Sequence, residues 1–156
     1  MILLNILWPT FALVLLVFVI AVTMMVRRTA HMQRVPPGAG DFVSRAAADS
    51  YFAPVDLPAN NFASLFELPL LFVALVPLLL ITRSAGVVQV VLAWLFVLTR
   101  FGHSYLHIVI RRVPPRFFAF LAGVVILAIM WVGFFVDMVA AAVAYHHAMN
   151  TIGAQL

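Results

Sequence analysis

Four apolar runs, residues 2–26, 61–82, 87–112 and 115–147, leave this 156-residue chain few folds to choose from. Each supplies about the 20 residues that a helix needs to cross the hydrocarbon of a bilayer. A backbone in lipid has no water to bond, so each N–H and C=O must pair within the protein, and a helix does this inside one segment. The connections after the second and third runs are only a few residues long, which sets neighbouring spans antiparallel. The sequence therefore predicts an all-α integral membrane protein, a four-transmembrane-helix bundle forming one domain over residues 1–156. Its 66% hydrophobic and 9% charged residues stand far from the apolar share of about 45–50% in soluble domains. The first run has no basic flank before it and exceeds the roughly 7–15 apolar residues of a signal-peptide core, so it reads as a retained anchor.

The nine basic residues are all arginine and give a formal charge of +4. All but Arg100 gather at the connections, which makes them a topology signal and excludes nucleic acid as a partner. Arg27, Arg28, Arg34, Arg45, Arg111, Arg112 and Arg116 lie in or beside the first and third connections, and only Arg83 lies in the second. The positive-inside rule then places the long connection, about 29–60, in the cytoplasm and both termini outside. That connection holds PPGAG at 36–40 and the acids Asp41, Asp49 and Asp56. Asp41 is placed to cap a short helix running to about Tyr51. A connection of this length reads as a solvated linker or as a lid over a site. Arg27 and Arg28 are expected to stop the first span. Pro69 and Pro77 predict kinks that free the carbonyls of Leu65 and Val73, Arg83-Ser84-Ala85-Gly86 is a tight turn, and Pro114 and Pro115 open the fourth helix.

Polar chemistry concentrates in the third run. At about 100° per residue, Arg100, His103, Ser104, His107 and Arg111 share roughly 100° of arc on an otherwise apolar rod. A charge near the middle of a span costs at least about 2.5–3.5 kcal/mol on insertion scales, so Arg100 must face protein, water or a ligand. Counting about 1.5 Å per residue puts Glu67, His107 and Arg100 in one leaflet, with Arg116 at its rim. Glu67 and Arg100 are then able to pair, either as a structural ion pair or as parts of a pocket open to the cytoplasm. His103 and His107, at i and i+4, also suit a metal or haem, although Glu67 is the only carboxylate near them and a site needs further ligands. With no cysteine, the chain has no thiolate of its own, and any thiol chemistry uses the thiol of a substrate.

Two segments carry a family likeness: NNFASLFELPLLF at 60–72, and RFGHSYLHIVIRRVPPRF at 100–117. With them the chain resembles the MAPEG family, the membrane-associated proteins of eicosanoid and glutathione metabolism, in its bacterial branch, and the likeness covers all four spans. Arg-x-x-His-x-x-x-His followed by arginine nine residues later fits the family pattern. The resemblance implies a homotrimer in a bacterial inner membrane, with glutathione as bound co-substrate between neighbouring subunits. It places Asn61, Glu67, Arg100, His103 and His107 at glutathione-binding positions and Arg116 at the catalytic one. The chain departs from the family at Asn60 and Ser64, where many members carry Arg and Asn ahead of the helix-two carboxylate. Arg111 stands where bacterial relatives often have Asn, and Phe117 where some catalytic members have a hydroxyl.

A thiol must ionise to attack, and a guanidinium beside the sulfur favours the thiolate. Arg116, near a helix N-terminus, is the first choice for that role. The expected activity is conjugation of the thiol to a lipophilic small molecule, or reduction of a lipophilic peroxide, with the apolar partner entering from the membrane lipids. Two other readings remain: a non-catalytic lipid-binding or scaffolding subunit of a larger membrane complex, and the histidine-ligated metal or haem protein. The small residues of the fourth helix, among them Ala119, Ala122, Gly123, Gly133, Ala140 and Ala144, are expected at close helix contacts.

Overall fold

The computed structural model describes residues 2–110 and 113–153. A 3₁₀ turn, Ile2–Ile6, leads into α1 (Leu7–Arg34). The long connection contains α2 (Arg45–Phe52) and a short 3₁₀ turn (Ala53–Val55), and is followed by α3 (Leu57–Ser64) and α4 (Leu68–Ile81). Helix α5 (Val87–Tyr105) widens into a π-helical segment, Leu106–Ile110, before α6 (Val113–Gly153). Four helical stretches are long and apolar enough to cross a membrane: Leu4–Arg34, Leu57–Ile81, Val87–Ile108 and Pro114–Ile152. The outer surface matches that role, because Phe11, Phe18, Leu70, Leu98 and Phe118 are exposed all round the bundle. In water such a surface would be a liability; in lipid it costs nothing.

Several boundaries differ from the sequence reading, each for a local reason. Arg27 and Arg28 do not stop the first helix, which continues to Arg34, since arginine is a good helix former and both side chains are half-buried. Asp41 does not cap the short helix. Ser44 does, its Oγ accepting from the Ala47 N–H at 3.1 Å, while the Asp41 carboxylate accepts from the Gly38 N–H at 2.7 Å and closes the preceding turn. The second span begins four residues earlier than expected, at Leu57, and is broken at residues 65–67. Pro69 explains the break: it cannot donate to the Leu65 carbonyl, so α3 ends in tight turns and α4 restarts with proline in its first turn. Pro77 lies inside α4, which continues through it. The fourth helix starts at Val113 and reaches Gly153, past the expected 147. In the turn after α4 the left-handed residue is Arg83 (φ 59°), not Gly86. Ser84 N–H bonds the Leu79 carbonyl at 2.9 Å and Arg83 N–H the Leu80 carbonyl at 3.2 Å, a Schellman ending.

The core sits where α1, α4, α5 and α6 meet. Phe72 stacks on Phe96 at 5.0 Å, surrounded by Leu13, Leu75, Leu79, Ala93, Val97, Leu127 and Met130. Helices α5 and α6 form the closest pair, antiparallel, and small residues set their separation. Gln89 donates to the Met130 carbonyl at 3.1 Å, and a Cβ on Gly133 would lie 3.2 Å from its Nε2. Val87 therefore stands near the level of Gly133, and α6 continues well past the start of α5. From Asp137 to Gly153 it projects about 24 Å at about 1.5 Å per residue, with Val139, Val143, Tyr145, Met149 and Ile152 exposed. Ala140 and Ala144, expected at helix contacts, are exposed there too.

At the opposite end, the long connection is clamped to α1. Arg28 donates to the Asp56 carboxylate at 2.6 Å and lies over the Phe52 ring at 4.6 Å. Tyr51 packs edge-on between His31 and Phe42, and its hydroxyl donates to the Val35 carbonyl. Sequence periodicity gave no sign of this cluster, because its members come from three elements.

Candidate functional site

The polar stripe of α5 turns inward. Arg100, His103, Ser104 and His107 are all buried, on the face expected from their spacing, while Arg111 lies outside the described residues. The π-helical segment carries His107, and its ring lies nearly parallel to that of His103 at 6.1 Å. Wider π-helical turns of this kind recur where a helix has to re-aim side chains at a site.

Three elements enclose a cavity of about 320 Å³ at the end of the bundle that holds the long connection. Helix α3 supplies Asn60 and Ser64, the end of α5 and its π-helical extension supply His103 and His107, and the first turns of α6 supply Arg116, Phe117 and Phe120. Pro114 and Pro115 make this possible, since they start α6 directly after the chain leaves α5 and so bring Arg116 back over the histidines. His103 Nδ1 lies 3.3 Å from the Arg116 carbonyl oxygen and its ring 6.2 Å from Phe120. Ser64 is partly used within its own helix, where its hydroxyl donates to the Asn61 carbonyl at 2.8 Å.

The other residues singled out from the sequence stand elsewhere. Arg100, 1% exposed, does not line the cavity. Its guanidinium lies between the rings of Phe96 and Phe120, at 5.5 and 5.6 Å, and Nη2 donates to the carbonyls of Ala119 and Phe120 at 3.2 and 3.3 Å. Nε has no partner among the described residues. Gly123 makes the arrangement possible, because a Cβ there would sit 2.2 Å from Nη2. Glu67 is exposed in the break between α3 and α4, and the pairing with Arg100 that depth allows is not formed within the chain. Asn61 is fully buried, and neither of its side-chain polar atoms has a partner among the described residues. Among those residues, no three His, Asp or Glu side chains converge as metal ligands.

Phe120 is the lining residue that sequence reasoning missed. Its signal was present: it lies four residues after Arg116, hence on the same face of α6. A second, wholly apolar groove of about 260 Å³ runs between α1 and the α3–α4 break, bordered by Leu13, Val17, Phe18, Leu65, Phe66, Pro69 and Val73.

Chemically, the cavity offers one guanidinium, an amide, a hydroxyl and two imidazoles against two aromatic rings. That set is chemically suited to an anionic group on one side and apolar surface on the other. Compared with known proteins, the chain matches the model of the MAPEG family over residues 6–136. No curated protein and no solved structure gives a match.

Proposed function

The chain belongs to the MAPEG family, and from that premise we propose that it is a membrane-bound, glutathione-dependent transferase or peroxidase acting on a lipophilic substrate. The observation that carries this reading is the meeting of Arg116, His103 and His107 around one cavity beside apolar, lipid-facing surface. The cavity volume falls at the lower end of the range of about 300–1,000 Å³ for small-molecule sites. Arg116 and Asn60 supply donors for a carboxylate or a thiolate, and Phe117 and Phe120 supply the apolar wall.

Arg116 has the central part. Its positive charge, at the start of a helix whose dipole also favours anions, stabilises the thiolate over the thiol. In conjugation, the sulfur electron pair forms a bond to an electrophilic carbon. In peroxide reduction, two thiols become a disulfide while the peroxide gives an alcohol and water. The lipophilic partner enters sideways, past the exposed rings of Phe117 and Phe118. The remaining features of this reading are a homotrimer with glutathione between subunits, a bacterial inner membrane, a cytoplasmic long connection and termini outside. Glu67, exposed on the single chain, is free to meet a neighbouring copy.

One observation favours a second reading, a scaffolding subunit of a larger membrane complex: the exposed, apolar stretch of α6 beyond Asp137 has no partner among the described residues. Calorimetry of glutathione with the detergent-purified protein separates the two. The enzyme reading expects binding that Arg116→Ala weakens at least about tenfold, about 1.4 kcal/mol. Absence of binding up to about 10 mM, less than roughly 3 kcal/mol of interaction, refutes it. Co-purification with other membrane proteins would then support the scaffold.

A further inference from the structure

The two ring nitrogens of His103 have different neighbours, and this fixes what the ring can do in the cavity. Nδ1 lies 3.3 Å from the Arg116 carbonyl oxygen. A carbonyl oxygen only accepts, so Nδ1 carries the proton. A neutral imidazole has one N–H, so Nε2 holds a lone pair, and it is the nitrogen left for an occupant of the cavity that His103 lines. His103 is thus an acceptor held in one orientation by a third group, the arrangement by which a base activates a nucleophile. His107 is held differently: its Nδ1 is buried without a partner among the described residues, and the backbone facing its ring is that of Leu57 on α3, not that of Arg116.

We propose that His103 is the proton acceptor for the thiol, through Nε2, with Arg116 as the charge partner of the thiolate that results. This rests on reading the cavity as a glutathione site. The S–H bond breaks, its electron pair stays on sulfur, and the proton moves to Nε2. The imidazolium keeps its Nδ1–H on the Arg116 carbonyl, and the thiolate lies between two cations. When the sulfur pair then bonds the electrophilic carbon, the electron pair displaced from that carbon takes the proton back from Nε2. His103 ends neutral, so the cycle balances without another reactant. The charged and titratable groups around the ring are Arg100 and His107 on its own helix and Arg116 on α6, whereas α3 brings Asn60 and Ser64, which do not titrate.

Nitrogen-15 NMR of histidine-labelled protein in liposomes reads the tautomer directly, with the His103 signal assigned by its loss in His103→Asn. The expected state without thiol is protonated Nδ1 and bare Nε2; protonated Nε2 overturns the proposal. The second measurement is the ultraviolet thiolate band of bound glutathione. An asparagine at 103 offers an amide N–H in place of Nδ1–H but nothing at the Nε2 position. His103→Asn should therefore still bind S-methylglutathione, yet lose the thiolate band at least about tenfold, one unit in thiol pKa. The low-pH limb of turnover should disappear with it. An unchanged band overturns the proton transfer. If neither glutathione nor its S-methyl form binds the wild-type protein, the glutathione reading falls and the proposal with it, whichever tautomer is found.

Discussion

Replacing Gly123 by alanine tests the tightest contact in the bundle. The new Cβ would stand 2.2 Å from Arg100 Nη2, 2.9 Å from Cζ and 2.9 Å from Thr99 Oγ1. Thr99 can rotate, but the guanidinium is buried and wedged between Phe96 and Phe120. It has to leave the carbonyls of Ala119 and Phe120. A hydrogen bond to a charged group contributes about 1.5–3 kcal/mol, and both contacts here are long and share one nitrogen. A combined loss of about 3–5 kcal/mol follows. The helix propensity of alanine over glycine returns about 1 kcal/mol, for a net destabilisation of roughly 2–4 kcal/mol. The assay is unfolding of the detergent-purified protein in SDS, run as a double-mutant cycle with Arg100→Met. Methionine removes the guanidinium, so in that background Gly123→Ala should cost less than about 1 kcal/mol or become stabilising. Equal cost in both backgrounds would refute the clash as the cause and leave Gly123 as an ordinary helix-packing glycine.

Two further predictions concern the ends of the bundle. Arg83→Gly should stabilise the protein by roughly 0.5–1 kcal/mol in the same assay, because the left-handed conformation costs a non-glycine residue about 1–2 kcal/mol and glycine gives part of that back as unfolded-chain entropy. The Tyr51 phenol is pushed above its ordinary value near 10 by burial against its aromatic neighbours and, secondly, by the charge of Asp41. A raised folded-state pKa means that the contribution is full below pH 10 and fades as pH rises through the folded value. Protease cleavage of the long connection should therefore rise with pH above 10 in the wild type, and Tyr51→Phe should remove that rise.

The fold was legible where one physical rule acted alone. Span number followed from backbone pairing in lipid, and the inward face of α5 followed from the spacing of Arg100, His103, Ser104 and His107. Prolines marked the break before α4 and the start of α6. Illegible features were those decided by partners distant in sequence. Ser44 displaced Asp41 as a cap because Asp41 had a turn of its own to close, and the Arg28–Asp56 contact joins residues 28 apart. Depth placed Glu67 and Arg100 at compatible levels, but depth says nothing of azimuth. Glu67 fell in the 65–67 break and faces outward, and Arg100 found carbonyls on α6 instead.

Arg100 and Arg116 carry the same group to different ends, and the part of α6 that each meets accounts for it. Arg100 reaches α6 beyond its first turn, where Gly123 leaves a gap and two backbone carbonyls can each accept a second bond. A carbonyl has two lone pairs, so this gives Nη2 its acceptors without unpairing the helix. Arg116 stands on the first turn, behind Pro114 and Pro115, which have no N–H, and the carbonyls there point down the helix. No carboxylate lines the cavity beside its guanidinium. The charge is left for an occupant. An anion arriving in the cavity meets Arg116 and the helix N-terminus together, whereas reaching Arg100 would require displacing two carbonyls and passing Phe120. The first arginine thus sets the spacing of α5 and α6, and the second spends its charge on whatever that spacing admits.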